Sequence, residues 1–173
     1  EGNAFAYAGR NLAVYTSLIE ECETENELLA VLGHEIGHIE KRHVVRSIKT
    51  NVGISIVFSA LLGDFSSIAT SITTNHMSRE FENEADKLSV EYLYNADIDP
   101  SGFASFMKKM LTDTFLDHID FFSDHPATQD RVNQSEAKVK SLPEKKYITV
   151  LTADEWTSFK NLLNKKQKKS SSN

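Results

Sequence analysis

The chain has 173 residues, of which 40% are hydrophobic and 25% charged, a length and balance that suit one globular core and exclude a disordered, collagen-like or fibrous chain. Nineteen Lys and Arg against 25 Asp and Glu leave a net charge of −6, which removes the electrostatic basis for a nucleic-acid partner. Cys22 is the single cysteine, so no internal disulfide can form and the redox compartment stays open.

The chain opens at Glu1 with neither Met nor a basic region leading into an apolar run, so it is expected to be a fragment whose targeting segment has been removed. Apolar and aromatic residues around Gly9-Arg10-Asn11 predict two short strands joined by a turn. Thr24-Glu25-Asn26-Glu27 then fits a capping box, and Leu28, Leu29, Val31, Leu32, Ile36 and Ile39 follow at helical spacing. Residues 52–63 form the most apolar run, but Asp64 ends it far short of the roughly 20 residues a membrane span needs. A buried or lid-forming helix is expected there, and the weakly polar residues 66–74 keep a membrane-surface placement open.

Residues 78–94 are again helical in pattern, with Phe81, Ala85, Leu88, Tyr92 and Leu93 spaced to bury one side. Asp99-Pro100-Ser101 caps a third helix with Phe103, Phe106, Met107, Met110 and Leu111 as its apolar stripe. Asp124-His125-Pro126 breaks the chain before a further helix, and residues 146–151 and 154–163 read as a strand and a helix. The expected fold class is α+β and predominantly α-helical, in one domain over residues 1–164, followed by a disordered Lys/Ser-rich tail at 165–173.

The chemistry lies in His34-Glu35-Ile36-Gly37-His38. Residues four apart share a helix face, so the two imidazoles can grip one zinc ion, while Glu35, turned around the axis, can reach a water at the metal's open position. A catalytic zinc needs a third protein ligand. His43 is spaced wrongly for the metzincin pattern, since Lys41 and Val44 stand where Gly and His are required, and Cys22 precedes the cap of the helix that carries the histidines. The acidic run Glu80, Glu82, Glu84 and Asp86 remains. Glu82 is the preferred ligand because Asp86, one turn on, can orient a neighbouring ligand, with Glu80 and Glu84 left to a solvated face.

With these residues in place the sequence resembles the family 48 metallopeptidases, the HtpX-like and CAAX prenyl protease group of gluzincins. Four stretches carry the resemblance over most of residues 1–135: Asn3-Ala4-Phe5-Ala6; the HExxH helix continuing to Arg42-His43; Ser78-Arg79-Glu80-Phe81-Glu82-Asn83-Glu84-Ala85-Asp86; and His125-Pro126 with Arg131. The resemblance implies a zincin-like domain with a small β-sheet packed on the HExxH helix, and one zinc per chain held by His34, His38 and Glu82. It also implies a strand at Asn3, Ala4, Phe5 and Ala6 along which an extended peptide substrate adds. For His125 it offers a latch that approaches the zinc and closes the site; an oxyanion donor and a plain loop histidine are the alternatives. Arg131 would hold the loop or the surroundings of Asp86, and His43, His76 and His118 are assigned to structure or surface.

The function expected is zinc-dependent endoproteolysis, with Glu35 as general base and polypeptides, including misfolded proteins, as substrates. Many soluble members work in the bacterial cell envelope, so periplasm or envelope is the expected location and membrane association stays open. Two rivals are a chaperone-like module that keeps zinc without turnover, and a membrane-associated subunit built around residues 52–74.

Overall fold

A computed structural model of the protein describes residues 3–7, 11–50, 77–112 and 121–170. The apolar stretch 52–63, its extension 66–74, the turn around Gly9-Arg10, His76 and His118 lie outside the described residues. Among the described residues no helix is long and apolar enough to cross a membrane.

The chain is predominantly helical. Strands β1 (Ala4–Tyr7) and β2 (Asn11–Val14) pair antiparallel with Ala4 opposite Val14 and Tyr7 opposite Asn11, and β1 lies against the second helix. Helix α1 (Thr16–Glu21) leads to α2 (Glu25–Glu40), which carries the HExxH residues. Then come α3 (Arg79–Asn95), α4 (Gly102–Thr112), the short α5 (Phe121–Asp124), α6 (Gln129–Ser141) and α7 (Ala153–Ser170). Residues 43–50 are also helical.

Capping residues set most of the helix starts. Thr24 accepts from the Glu27 amide at the head of α2, Ser78 from Phe81 at α3 and Thr128 from Arg131 at α6, each satisfying an otherwise unpaired N–H. The box at Thr24 is modified: the Glu27 carboxylate reaches past the cap to the Glu23 amide at 2.8 Å and pairs with Lys109 at 2.9 Å. α2 ends at Glu40, and the chain turns at Arg42, whose φ of 53° lies in the left-handed region that glycine adopts more easily.

The packing of α2 on α3 departs from the apolar pattern. Ile36 is exposed, and the buried face of α2 consists of Glu27, Ala30, Val31, Gly33, His34, Glu35, Gly37 and His38. Likewise α3 buries Glu82, Ala85, Asp86, Ser89, Val90 and Leu93, while Phe81, Leu88 and Tyr92 are only half-buried. The reason is steric. A Cβ added at Gly37 would sit 3.2 Å from Ala85 Cα, and one at Gly33 would sit 3.1 Å from Ser89 Oγ, so small residues bring the two helices close along their polar faces. Ser89 Oγ donates to Ala30 O at 2.6 Å across the crossing.

Apolar material gathers around this crossing. One cluster joins Leu18, Cys22, Val31, Phe106, Phe121 and Trp156, and a second joins Ala30, Leu93, Phe103, Met107 and Val132. Cys22 is therefore a core residue, and burial pushes its thiol up to about 12, an inert state for a metal ligand. Two expectations fail at the C-terminal end. The predicted strand 146–151 contributes one bridge, Ile148 with Ile98, because no second strand lies beside it among the described residues. The Lys/Ser-rich tail is helical through Ser170: Lys and Gln favour helix, and α7 starts from a firm box in which Thr152 and Glu155 bond each other's amides.

Candidate active site

The close crossing of α2 and α3 carries His34 and His38 to Glu82, and the segment after α5 adds His125. One ligand atom from each of these four buried residues lies within 4.8 Å of all the others. His34 Nε2 and His38 Nε2 are 3.0 Å apart, and Glu82 lies 3.5 Å from the first and 3.4 Å from the second. Two donors each about 2.0–2.1 Å from a tetrahedral ion stand about 3.3 Å apart, so these spacings suit a zinc ion.

Donor chemistry agrees with the spacing. His34 Nδ1 lies 2.9 Å from Asp86 Oδ1, a short approach bent away from the ideal N–H direction, and His38 Nδ1 lies 2.9 Å from His43 Nδ1. Protons engaged on those outer nitrogens leave two Nε2 lone pairs pointing at one another and at a carboxylate, an arrangement that a cation relieves. Burial pushes the His34 imidazole down to about 3 against the pull of Asp86, and lowers His38 against the pull of Glu82, so both are neutral. Burial alone would raise the Glu82 carboxyl, but hydrogen bonding with His125 and His38 outweighs it and keeps the group ionised.

His125 occupies the remaining corner. Its Nδ1 is 3.0 Å from Glu82 Oε1 and 3.3 Å from His34 Nε2, and its Nε2 faces Glu35 Oε1 at 3.4 Å. Phe121 stacks on its ring at 4.8 Å between centroids. Burial opposes charge on this imidazole, yet the Glu82 hydrogen bond and the Glu35 charge raise its pKa above the ordinary value. Glu35 is buried beside the cluster without joining it.

Arg131, from α6, ties the site together. Its Nε and Nη2 grip Asp86 at 2.8 and 2.7 Å, Nη2 also reaches Glu82 at 3.0 Å, and Nη1 donates to Pro126 O at 2.8 Å. Burial would raise Asp86, but the Arg131 and His34 hydrogen bonds hold it below the usual range. Asn3, just before β1, donates from Nδ2 to Asp124 at 3.3 Å, which links the strand to the end of α5 next to His125. The backbones of Ala4, Phe5 and Ala6 run in β1.

Sequence reasoning set His43 aside as structure or surface and left Glu84 to a solvated face, without pairing the two. His43 is fully buried, contacts His38 and bonds Glu84 Oε2 through Nε2 at 2.9 Å. His43 is thus a buried structural residue, and Glu84, half-buried, lies at its outer edge. The signal was faint, because the five-residue step from His38 to His43 matches no helical spacing until the turn at Arg42 redirects the chain.

Similarity to known proteins bears on this geometry. The Peptidase family M48 profile matches residues 1–139. The chain is 31% identical over 140 residues to Metalloprotease LoiP of Escherichia coli (strain K12), covering 75% of this chain and 55% of that protein. It is 28% identical over 130 residues to the Beta-barrel assembly-enhancing protease of the same strain, covering 64% of this chain and 26% of the relative. A further 28% identity over 136 residues relates it to Mitochondrial metalloendopeptidase OMA1 of Arabidopsis thaliana, covering 75% of this chain and 28% of that one. The chain thus spans about half the length of the first relative and about a quarter of the others.

Proposed function

Since the chain belongs to Peptidase family M48 and carries a metalloendopeptidase domain, we propose that it hydrolyses polypeptides with one zinc ion held by His34, His38 and Glu82. The observation that carries this reading is the buried convergence of those ligand atoms beside Glu35. A zinc ion held there would supply Lewis acidity and would acidify a water to a pKa of about 7. Glu35 accepts the proton of the attacking water at its carboxylate and returns it to the leaving amine. Asp86 and Arg131 hold His34 and Glu82 in place from behind.

His125 fits the latch role best among its three readings, because its Nδ1 stands at the corner that water must take and its Nε2 stands before Glu35. The activity of His125→Ala in peptide hydrolysis decides the matter. An increase is expected; a decrease would assign His125 to transition-state stabilisation instead, and an unchanged rate would leave it a loop residue.

An extended substrate adds along β1 at Asn3, Ala4, Phe5 and Ala6, with backbone hydrogen bonds giving affinity with little side-chain selectivity. That suits misfolded polypeptides and a part in protein quality control in the bacterial envelope; one relative is named a Beta-barrel assembly-enhancing protease. The chaperone-like alternative leaves Glu35 without a purpose, since a structural metal needs no base beside it. Casein digestion that a chelator abolishes and zinc restores would support turnover; no digestion by the zinc-loaded protein would reject it. Metal analysis tests the ligand set: Glu82→Ala should lose its zinc while Glu84→Ala, grown with ample zinc, retains it. Equal retention would remove Glu82 from the ligands.

A further inference from the structure

His38 has no carboxylate against its outer nitrogen, unlike His34. Its Nδ1 meets His43 Nδ1 at 2.9 Å, and His43 Nε2 meets Glu84 Oε2 at 2.9 Å. Tautomers follow from the ends of this line. Glu84 Oε2 already accepts from Arg46 Nη1 at 2.9 Å, so it faces His43 as an acceptor, and His43 must carry its proton on Nε2. His43 Nδ1 is then a bare acceptor, and His38 must donate to it from Nδ1. That leaves His38 Nε2 unprotonated and facing His34 and Glu82.

The line is rigid at each joint. His43 stacks on Phe81 at 4.5 Å between centroids with the rings 6° from parallel, and the Arg46 guanidinium lies 4.4 Å over the same Phe81 ring. Arg46 Nη1 donates to Glu84 Oε2 at 2.9 Å, and Lys41 Nζ lies 3.9 Å from Oε1. Arg42 sets the turn that starts the helical segment at His43 and brings its ring under His38.

We propose that His43 and Glu84 are positioning residues for the metal, a His-to-carboxylate relay that fixes the tautomer and ring orientation of His38 and strengthens it as a ligand. The proposal rests on the cluster being a metal site. His34 receives the same service directly from Asp86, so each histidine of the motif is backed by a carboxylate of α3, one at first hand and one through a second imidazole. Removing such an outer partner typically weakens metal binding about 10–100-fold.

The test measures the zinc dissociation constant of the full chain by competition with a chromogenic chelator, for wild type, His43→Phe, His43→Asn and Glu84→Ala. Phe keeps the ring and its stacking on Phe81 but cannot accept from His38. Asn loses the ring but can present an oxygen to His38 Nδ1. The relay predicts that His43→Phe loses about 10–100-fold in zinc affinity, that His43→Asn recovers part of the loss, and that Glu84→Ala falls between wild type and His43→Phe. A packing role for His43 predicts the reverse order, with Phe close to wild type and Asn the worse, and that result would overturn the proposal. Should His43→Phe fail to fold, Glu84→Ala decides, since Glu84 is only half-buried; wild-type affinity in that variant would refute the relay. Failure of the wild type itself to bind zinc would refute the metal-site reading instead, so the two failures are distinct.

Discussion

Replacing Glu35 with glutamine is expected to cut peptide hydrolysis by about two to four orders of magnitude, the usual contribution of a positioned base, with the fold and bound zinc unchanged. The argument is geometric. Glu35 is on the same helix as the two histidines but outside the set of converging ligand atoms, and its Oε1 faces the corner now filled by His125. A carboxylate in that position touches whatever enters the corner without binding the metal. Glutamine keeps the size of the side chain and loses only basicity, so a thermal melt and a zinc analysis should match wild type while casein cleavage is lost. A fully active variant would exclude Glu35 as the base.

Arg131→Ala carries the largest expected loss of stability, about 3–5 kcal/mol, the range for stripping one partner from a buried ion pair. Arg131 is buried with two carboxylates against it, Asp86 gripped through two bonds and Glu82 through one. Without the guanidinium both carboxylates remain buried, and the Pro126 carbonyl loses its donor. Urea unfolding of chelator-treated and zinc-loaded protein should show the greater loss without zinc, because the ion itself offsets the Glu82 charge. A loss under about 1 kcal/mol in both states would show that solvent reaches the pair.

The same carboxylates set a pH dependence for the chelator-treated protein. Asp86 and Glu82 have folded-state pKa values below their ordinary ones, so their stabilisation is present above the ordinary range, about 4, and drains away as pH falls through the depressed values. Denaturant midpoints that stay flat as pH falls from about 4 through the acid range below it would contradict the assignment.

The motif helix, the acidic helix and their starts at Thr24 and Ser78 were legible in the sequence because caps and periodicity are local. The family match over residues 1–139 bears out the resemblance, and the predominantly helical fold agrees with the expected class. What the apolar stripe could not show was which face would be buried. Leu28 and Ile36 mark a stripe, but Gly33 and Gly37 turn the polar face inward, and a contact made by absent side chains leaves no mark on a hydrophobicity pattern. The His43–Glu84 contact spans 41 residues and depends on one left-handed residue, so nothing local announced it. At the tail, composition suggested disorder over residues 165–173, while the capped start of α7 carries helix as far as Ser170.

The tight seam between Gly33, Gly37, Ala85 and Ser89 fixes three of the four converging residues and leaves the fourth on a connecting stretch. His34, His38 and Glu82 ride on helices that cannot spread without breaking that seam, whereas His125 sits on a short stretch between α5 and α6. Were His125 the latch, its release would be a one-residue displacement that leaves His34, His38 and Glu82 in place. Control of such an enzyme would fall to whatever binds the stretch around Pro126, rather than to the supply of metal.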